Sequence, residues 1–205
     1  MAKNPAPTKG NLMACQNTLK LSKQGYEMLD KKRNILIHEM MLLIDEAKKI
    51  EYAMEETFSV AYRALESANI MMGCDTVYQI AKSKQIENGV RINLRSVMGV
   101  ELPILRLDNE DSKASYSFYE TTSAFDEAFV RFSKAKELTV KLAEIENSVY
   151  RLAINIKKTQ KRANALKNIT IPYYEELVHN ISNVLEEKER EEHTRLKRLK
   201  KKNLE

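Results

Sequence analysis

The chain of 205 residues contains no tryptophan, only five glycines and only four prolines. Because glycine and proline interrupt helices, their scarcity favours long continuous helices. No apolar run approaches the roughly 20 residues that span a bilayer, and residues 1–5 lack the apolar core of a signal peptide. We therefore expect a cytoplasmic protein whose membrane association, if it has one, goes through partner proteins.

Motifs that carry chemistry are also missing. Two cysteines, Cys15 and Cys74, stand far apart without a C-x-x-C pattern and are interpreted as reduced thiols. His38-Glu39 lacks the second histidine of a metalloprotease motif. There is no Gly-rich phosphate loop and no paired Cys/His ligand set. We therefore predict no catalytic residue, no metal and no cofactor, and a chain that is not an enzyme.

What the chain does contain is helix-forming and charged. Ala, Glu, Leu, Lys and Arg supply 95 of the 205 residues, a share typical of coiled coils and long helices. With 31% charged residues and a mean hydropathy of −0.49, the apolar surface is too small for a thick core. Burial along a narrow seam, and an elongated molecule, are expected.

The first long segment, residues 11–72, carries a heptad pattern. With Leu19 at the first seam position, 13 of the 16 seam positions up to Met71 are apolar, and Ser22, Arg33 and Thr57 are the exceptions. A pattern sustained over so many heptads predicts a coiled-coil helix about 90 Å long. Residues 1–10 are expected to be a flexible N-terminus, with Thr8 or Asn11 capping the helix.

The middle segment, residues 73–114, changes period. Val90, Ile92 and Leu94 alternate with polar residues, and a second apolar run follows Gly99 and contains Pro103. A period of two predicts a small β-hairpin, and proline confines the second run to an edge. An irregular connector is the alternative.

The last segment, residues 115–205, is predicted to be a second long helix. Ser117 and Glu120 have the spacing of a capping box at its start, and Pro172 predicts a kink near residues 168–172. The seam residues recur at three- and four-residue intervals; they are Leu142, Ile145, Val149, Leu152, Ile156, Thr159, Ala163 and Leu166. The predicted fold class is all-α: a long two-helix antiparallel coiled coil with a small β-hairpin in the middle.

Two seams within one chain favour intramolecular pairing, because their effective concentration for each other is high. If the helices fold back at the middle, residue i lies near residue 190 − i, within several residues. Arg33 would then meet Asn155 to Thr159 in a polar layer, and beyond about residue 180 the second helix would project alone. Glu186–Arg190 and Glu191–Arg195 have the spacing of supporting ion pairs.

The order of short motifs in the C-terminal half resembles the D-subunit family of the archaeal and bacterial A/V-type rotary ATPases. The pattern K-T-x-(R/K)-R-x-N-A-L matches residues 158–166, with Ala163 where a larger apolar residue is expected. It is followed by Ile171-Pro172 and by L-x-E-x-E-R-E at residues 185–191. Pro7-Thr8 and Met98-Gly99-Val100-x-x-Pro103 extend the resemblance over nearly the whole chain.

The resemblance implies a non-catalytic rotor axle in the central stalk, peripheral to the cell membrane. Its implied partners are a catalytic hexamer of A and B subunits, the small F subunit of the stalk, and a funnel-shaped subunit that docks on the membrane ring. No nucleic acid and no direct membrane insertion are expected. The interface candidates are cations and one amide: Lys161, Arg162, Asn164, Arg190 and Arg195 for the head, and Arg91 and Arg95 for stalk partners. Each is explained equally well as an ordinary surface residue.

Three alternatives compete with parts of this interpretation. A cytoplasmic coiled-coil scaffold or adaptor would share the seams but would not require the motifs of residues 158–172 and 185–191 together. The cations of Arg195–Lys202 could bind nucleic acid or a membrane surface, although no aromatic residues interleave to stack on bases. The acidic run Glu186–Glu192 could bind cations, but a solvated helical face explains it better.

Overall fold

A computed structural model of the chain describes residues 5–83, 89–107, 116, 119 and 121–202. In chain order the elements are α1 (Lys9–Met72), α2 (Cys74–Ser83), β1 (Val90–Val97), β2 (Val100–Leu107), α3 (Ser123–Ala165), a π-helical turn (Leu166–Thr170) and α4 (Ile171–Lys202). The structure is 84% helical with one two-stranded antiparallel hairpin among the described residues. The predicted fold class is therefore confirmed.

Contacts divide the chain into two compact units. We call Met1–Asn34 with Ile156–Glu205 the terminal unit, and Ile35–Asn155 the middle unit. The division into four segments at residues 10, 72 and 114 stays a prediction. The second long helix begins at Ser123, several residues later than predicted, and the predicted capping box at Ser117 and Glu120 lies outside the described residues.

The predicted seams are confirmed. Fifteen of the 16 seam positions in α1 are buried or partly buried, and the exception is Met71, whose side chain is 67% exposed at the helix end. Leu36 and Leu152 are both fully inaccessible. Ala163, where the motif favours a larger side chain, is 1% exposed, so the alanine leaves no opening to solvent there.

In the terminal unit, α1 runs antiparallel to the C-terminal helices. Lys23 Nζ lies 2.7 Å from Glu175 Oε1, and Lys9 Nζ lies 2.7 Å from Glu189 Oε1. The expectation that residues beyond about 180 project alone is therefore wrong, and Ile181 is 4% exposed. The physical reason is the register: Glu189 and Glu175 lie eight residues further along the chain than the predicted partners of Lys9 and Lys23. Helix α1 begins at Lys9, where the hydroxyl of Thr8 accepts a hydrogen bond from the N–H of Asn11 and caps the helix.

Polar residues interrupt the seam of the terminal unit at two separate levels. At the first, Ser22 is buried and its hydroxyl donates to the carbonyl of Thr18 one turn earlier. The second, which we call the polar layer, is formed by Arg33 and Gln160, and Thr159 beside Gln160 is also buried. Arg33 Nη1 donates to Gln160 Oε1 over 2.8 Å, one residue beyond the range predicted for its partner. Asp30 neutralises the same guanidinium at 2.7 Å. Polar seam residues of this kind specify register.

Pro172 is accommodated by a π-helical turn. The N–H of Ile171 donates to the carbonyl of Leu166, five residues earlier, so the helix widens by one residue per turn immediately before the proline. Proline lacks an N–H and its ring collides with the carbonyl four residues earlier in a regular α-helix. The wider turn changes the position of that carbonyl relative to the proline ring, and helical structure continues into α4.

The middle unit has its own antiparallel helix pair. Tyr62 of α1 meets Phe132 of α3 edge to face, with ring centroids 5.5 Å apart. Gly73 ends α1 with a φ of 82°, a left-handed conformation that glycine adopts at little cost. Helix α2 follows directly, which the sequence pattern did not predict, and its buried Val77 packs with Ala68 and Phe125.

The predicted hairpin is confirmed. Strand β1 pairs with β2 from Val90–Leu107 to Val97–Val100. The two turn residues, Met98 and Gly99, have φ of 49° and 75°, as a type I′ turn requires. On β1 every residue except Val97 is exposed, whereas Val100 and Leu102 of β2 are 3% and 4% exposed and belong to the core.

Truncating a seam leucine tests the seam. Leu36→Ala should lower the free energy of unfolding by about 2–5 kcal/mol, because it leaves a cavity at a fully buried position. The matched control is Leu42→Ala on the same helix, whose side chain is 54% exposed and which should change stability by about 0.5 kcal/mol or less. Urea denaturation followed by circular dichroism measures both values. Equal decreases in the free energy of unfolding for the two variants would contradict the assignment of Leu36 to a buried seam.

Candidate partner-binding surfaces

No metal-binding cluster is present among the residues that the structure describes, since nowhere do three His, Cys, Asp or Glu side chains converge. In the same residues, no helix is both long and apolar enough to cross a membrane. Cys15 is buried and Cys74 is exposed, and both are free thiols.

The terminal unit carries a strongly basic surface, the basic segment 157–167. Its five cations are Lys157, Lys158, Lys161, Arg162 and Lys167, and all five are exposed. No Asp or Glu occurs anywhere from residue 147 to residue 174. Cations of this density in one segment create a local positive potential that attracts acidic partners.

Asn164 joins this surface to the polar layer. Its side-chain oxygen accepts a hydrogen bond of 2.8 Å from Gln160 Nε2, and Gln160 in turn accepts from Arg33. The exposed amide is thus held by a chain of hydrogen bonds that reaches across to α1. Of the three predicted residues in this segment, Asn164 has a fixed orientation, while Lys161 and Arg162 extend into solvent.

Arg190 and Arg195 lie on the exposed end of α4. Arg190 Nη2 is 3.8 Å from Glu186 Oε2, the predicted i,i+4 pair. One residue away, Glu189 holds Lys9 of α1. The hydrogen bond to Glu189 and its negative charge raise the pKa of Lys9. In the same way, the hydrogen bond from Lys9 and its positive charge lower the pKa of Glu189. Residues 190–200 are exposed throughout.

Arg91 and Arg95 lie on one face of β1 in the middle unit. Arg95 Nη2 is 3.1 Å from Glu39 Oε1 of α1, which ties the strand to the helix. Val90, Ile92 and Leu94 occupy the other face and are 44%, 66% and 58% exposed. The seven predicted residues therefore form two groups, five in the terminal unit and two in the middle unit.

The middle unit also contains an apolar cavity of about 290 Å³ that is partly open to solvent. Its walls are mostly aromatic and aliphatic, with Ser133 and Lys136 as polar members, and include Leu65, Val77, Ile80, Tyr116, Phe125, Phe129 and Phe132. Tyr116 donates a 2.7 Å hydrogen bond to Asp126 Oδ1 and meets Phe125 edge to face. Burial, together with the hydrogen bond and charge of Asp126, raises the pKa of Tyr116 to about 12.

Comparison with known proteins decides the family. The family model that describes the D subunit of ATP synthase matches residues 11–201. The chain belongs to the family of ATP synthase D subunits. It is similar to the D subunit of the V-type ATP synthase of Thermotoga neapolitana, with 45% identity over 96% of this chain and 97% of that protein.

Two further members of the D-subunit family belong to A-type ATP synthases. The protein from Pyrococcus horikoshii is 34% identical over 95% of this chain and 92% of its own length. The protein from Methanopyrus kandleri is 36% identical over 95% of this chain and 84% of its own length. The resemblance drawn from residues 158–191 is thereby confirmed across nearly the whole chain.

Some residues that shape the surfaces of this D-subunit family member were not predicted. The sequence does not predict a contact for Gln160, because an uncharged amide among basic residues has no distinguishing pattern. Its hydrogen bond with Arg33 of α1 shows that it links the two helices. Glu144 and Arg151 of α3 bind the backbone of β2, which a sequence pattern cannot show. The cavity is indicated only in part by the sequence: Phe125, Phe129 and Phe132 recur at intervals of four and three residues, and all three line it.

The raised pKa of Tyr116 is testable. The unfolded side chain ionises near pH 10 and the folded one near pH 12, so its contribution to stability is complete below about pH 10 and is lost as the pH rises to 12. Ultraviolet titration should show one of the nine tyrosines ionising last. That late step should be missing in Tyr116→Phe, and the stability of this variant should fall less steeply between pH 10 and 12.

Proposed function

We propose that this chain is the rotor axle in the central stalk of a V/A-type rotary ATPase. In this role it has no active site of its own and couples rotation of the membrane ion ring to ATP synthesis or hydrolysis in the head. The carrying observation is family membership over residues 11–201 together with paired, antiparallel helices in each unit. It works in the cytoplasm, peripheral to the membrane.

The terminal unit is the proposed contact with the catalytic hexamer of A and B subunits. Lys161 and Arg162 provide charge without a fixed partner, and Asn164 provides an oriented amide. Arg190 and Arg195 extend the surface toward the end of α4. Because exposed side chains make shallow contacts, such a surface can face different subunits in turn without being trapped in one orientation, which a rotating part requires.

The middle unit is the proposed contact with the small F subunit of the stalk and with the funnel-shaped subunit on the membrane ring. Arg91 and Arg95 on β1 are the charged candidates, and Arg95 is fixed by Glu39. Neither nucleic acid nor the lipid bilayer is a proposed partner. A cytoplasmic scaffold or adaptor is the alternative role, and it would purify alone or as a dimer rather than with a nucleotide-binding hexamer.

Shortening α4 tests the role of its end. Deletion of residues 196–205 should lower the number of ions pumped per ATP hydrolysed in the reconstituted complex, because contact with the head is reduced. A full-length control with Lys197→Gln and Arg198→Gln separates the loss of length from the loss of charge. Unchanged coupling in the truncated complex would contradict a role for this end.

Charge reversal tests the basic segment. Lys161→Glu combined with Arg162→Glu should weaken binding to the A and B hexamer by about tenfold or more, since like charges then meet across the interface. The matched control, Lys48→Glu with Lys49→Glu, changes the same number of exposed charges in the middle unit. Binding is measured by titration at two salt concentrations. Equal effects from both pairs would argue against this surface.

A further inference from the structure

The two outer edges of the hairpin differ in their backbone hydrogen bonding. Helix α3 covers the outer edge of β2 at two points: the N–H of Leu105 donates to Glu144 Oε2 over 2.8 Å, and the carbonyl of Glu101 accepts from Arg151 Nη1 over 3.1 Å. Pro103 between them has no N–H to offer. The N–H of Leu105 and the C=O of Glu101 therefore have hydrogen-bond partners on α3, and Pro103 has no N–H that needs one.

The outer edge of β1 is open. In an antiparallel pair, residues directly opposite each other point their backbone groups the same way, both inward or both outward. Ile92 pairs with Leu105, whose N–H points outward to Glu144, so the N–H and C=O of Ile92 also point outward. The same holds for Val90 and Leu94, two residues to either side. Within the described residues these backbone groups have no hydrogen-bond partner.

The side chains of β1 specify what can pair with this edge. On one face Val90, Ile92 and Leu94 form an exposed apolar row, and on the other face Arg91 and Arg95 flank Asn93. Charged residues on an edge strand discourage pairing with an identical strand. In a symmetric antiparallel pairing of two copies centred on Asn93, Arg91 would lie opposite Arg95, and like charges directly opposite are destabilising.

We propose that the outer edge of β1 accepts an extended strand from another subunit of the complex. The side chains on one face of the added strand are apolar and cover Val90, Ile92 and Leu94, which are 44%, 66% and 58% exposed. Main-chain hydrogen bonds supply affinity and the side chains on that face supply specificity, as in other strand additions. This inference rests on the proposed function, because the added strand belongs to a stalk partner.

Amide hydrogen exchange tests the pairing directly. The amides of Ile92 and Leu94 should exchange quickly in the isolated chain and at least tenfold more slowly in the assembled complex, while that of Leu105 stays protected in both. Equal exchange at Ile92 and Leu94 in the two samples would overturn the inference. Protection that rises with the concentration of the isolated chain would also overturn it, because a second copy would then be the occupant.

A proline variant tests the same contact by function. Ile92→Pro removes an outward N–H without removing a β1–β2 hydrogen bond, and Pro103 shows that proline is tolerated at such a position. Ile92→Ala removes the side chain but keeps the N–H. The Kd for the stalk partner should be about fivefold higher for the proline variant than for the alanine variant, because one hydrogen bond contributes roughly 1 kcal/mol. Equal Kd values would count against strand addition.

Assembly of the complex separates this inference from the proposed function. A complex that assembles and couples normally while Ile92 stays unprotected would disprove the strand addition and leave the proposed function intact. A chain that never joins a nucleotide-binding hexamer would disprove both.

Discussion

The structure depends on one constraint: two helices lying side by side can bury only a narrow stripe of each surface. Large apolar residues such as Leu36 and Leu152 fill much of this stripe, but four of its most deeply buried side chains are alanines: Ala61, Ala68, Ala135 and Ala163 are all 1% exposed or less. Small residues bring helix backbones close together, so each methyl group removes water from both partners. The polar layer at Arg33, the ion pairs at the helix ends and the hairpin all take their positions from this stripe.

Much of this architecture could be predicted because it is periodic. The seams are visible as apolar residues at intervals of three and four, and the hairpin as alternation beside Gly99. Helix α2 was missed because ten residues behind Gly73 are too short for a periodic signal. The π-helical turn was missed because Pro172 predicts that a regular helix is disturbed, but not which neighbouring bonds rearrange.

The candidate surfaces were predictable only in part. Exposed cations such as Lys161 and Arg162 follow from charge in a helical pattern. Their neighbours do not, because the partner of Arg33 or Arg95 depends on how two distant segments are aligned, and a shift of one residue selects a different side chain. The same limit explains why the hydrogen bond between β2 and α3 could not be predicted, since Glu144 is 39 residues from Leu105 in sequence.

The π-helical turn has a consequence for how chain length can vary. Partly or fully buried positions recur at Leu166, Thr170, Tyr174, Leu177 and Ile181. Their intervals of four, four, three and four contain one residue more than a strict alternation of four and three allows. In a plain α-helix that surplus residue would rotate everything after it by about 100°, turning Ile181 away from the seam. The wider turn absorbs the surplus, so deleting one residue here would restore a regular α-helix and leave the alignment of α4 unchanged.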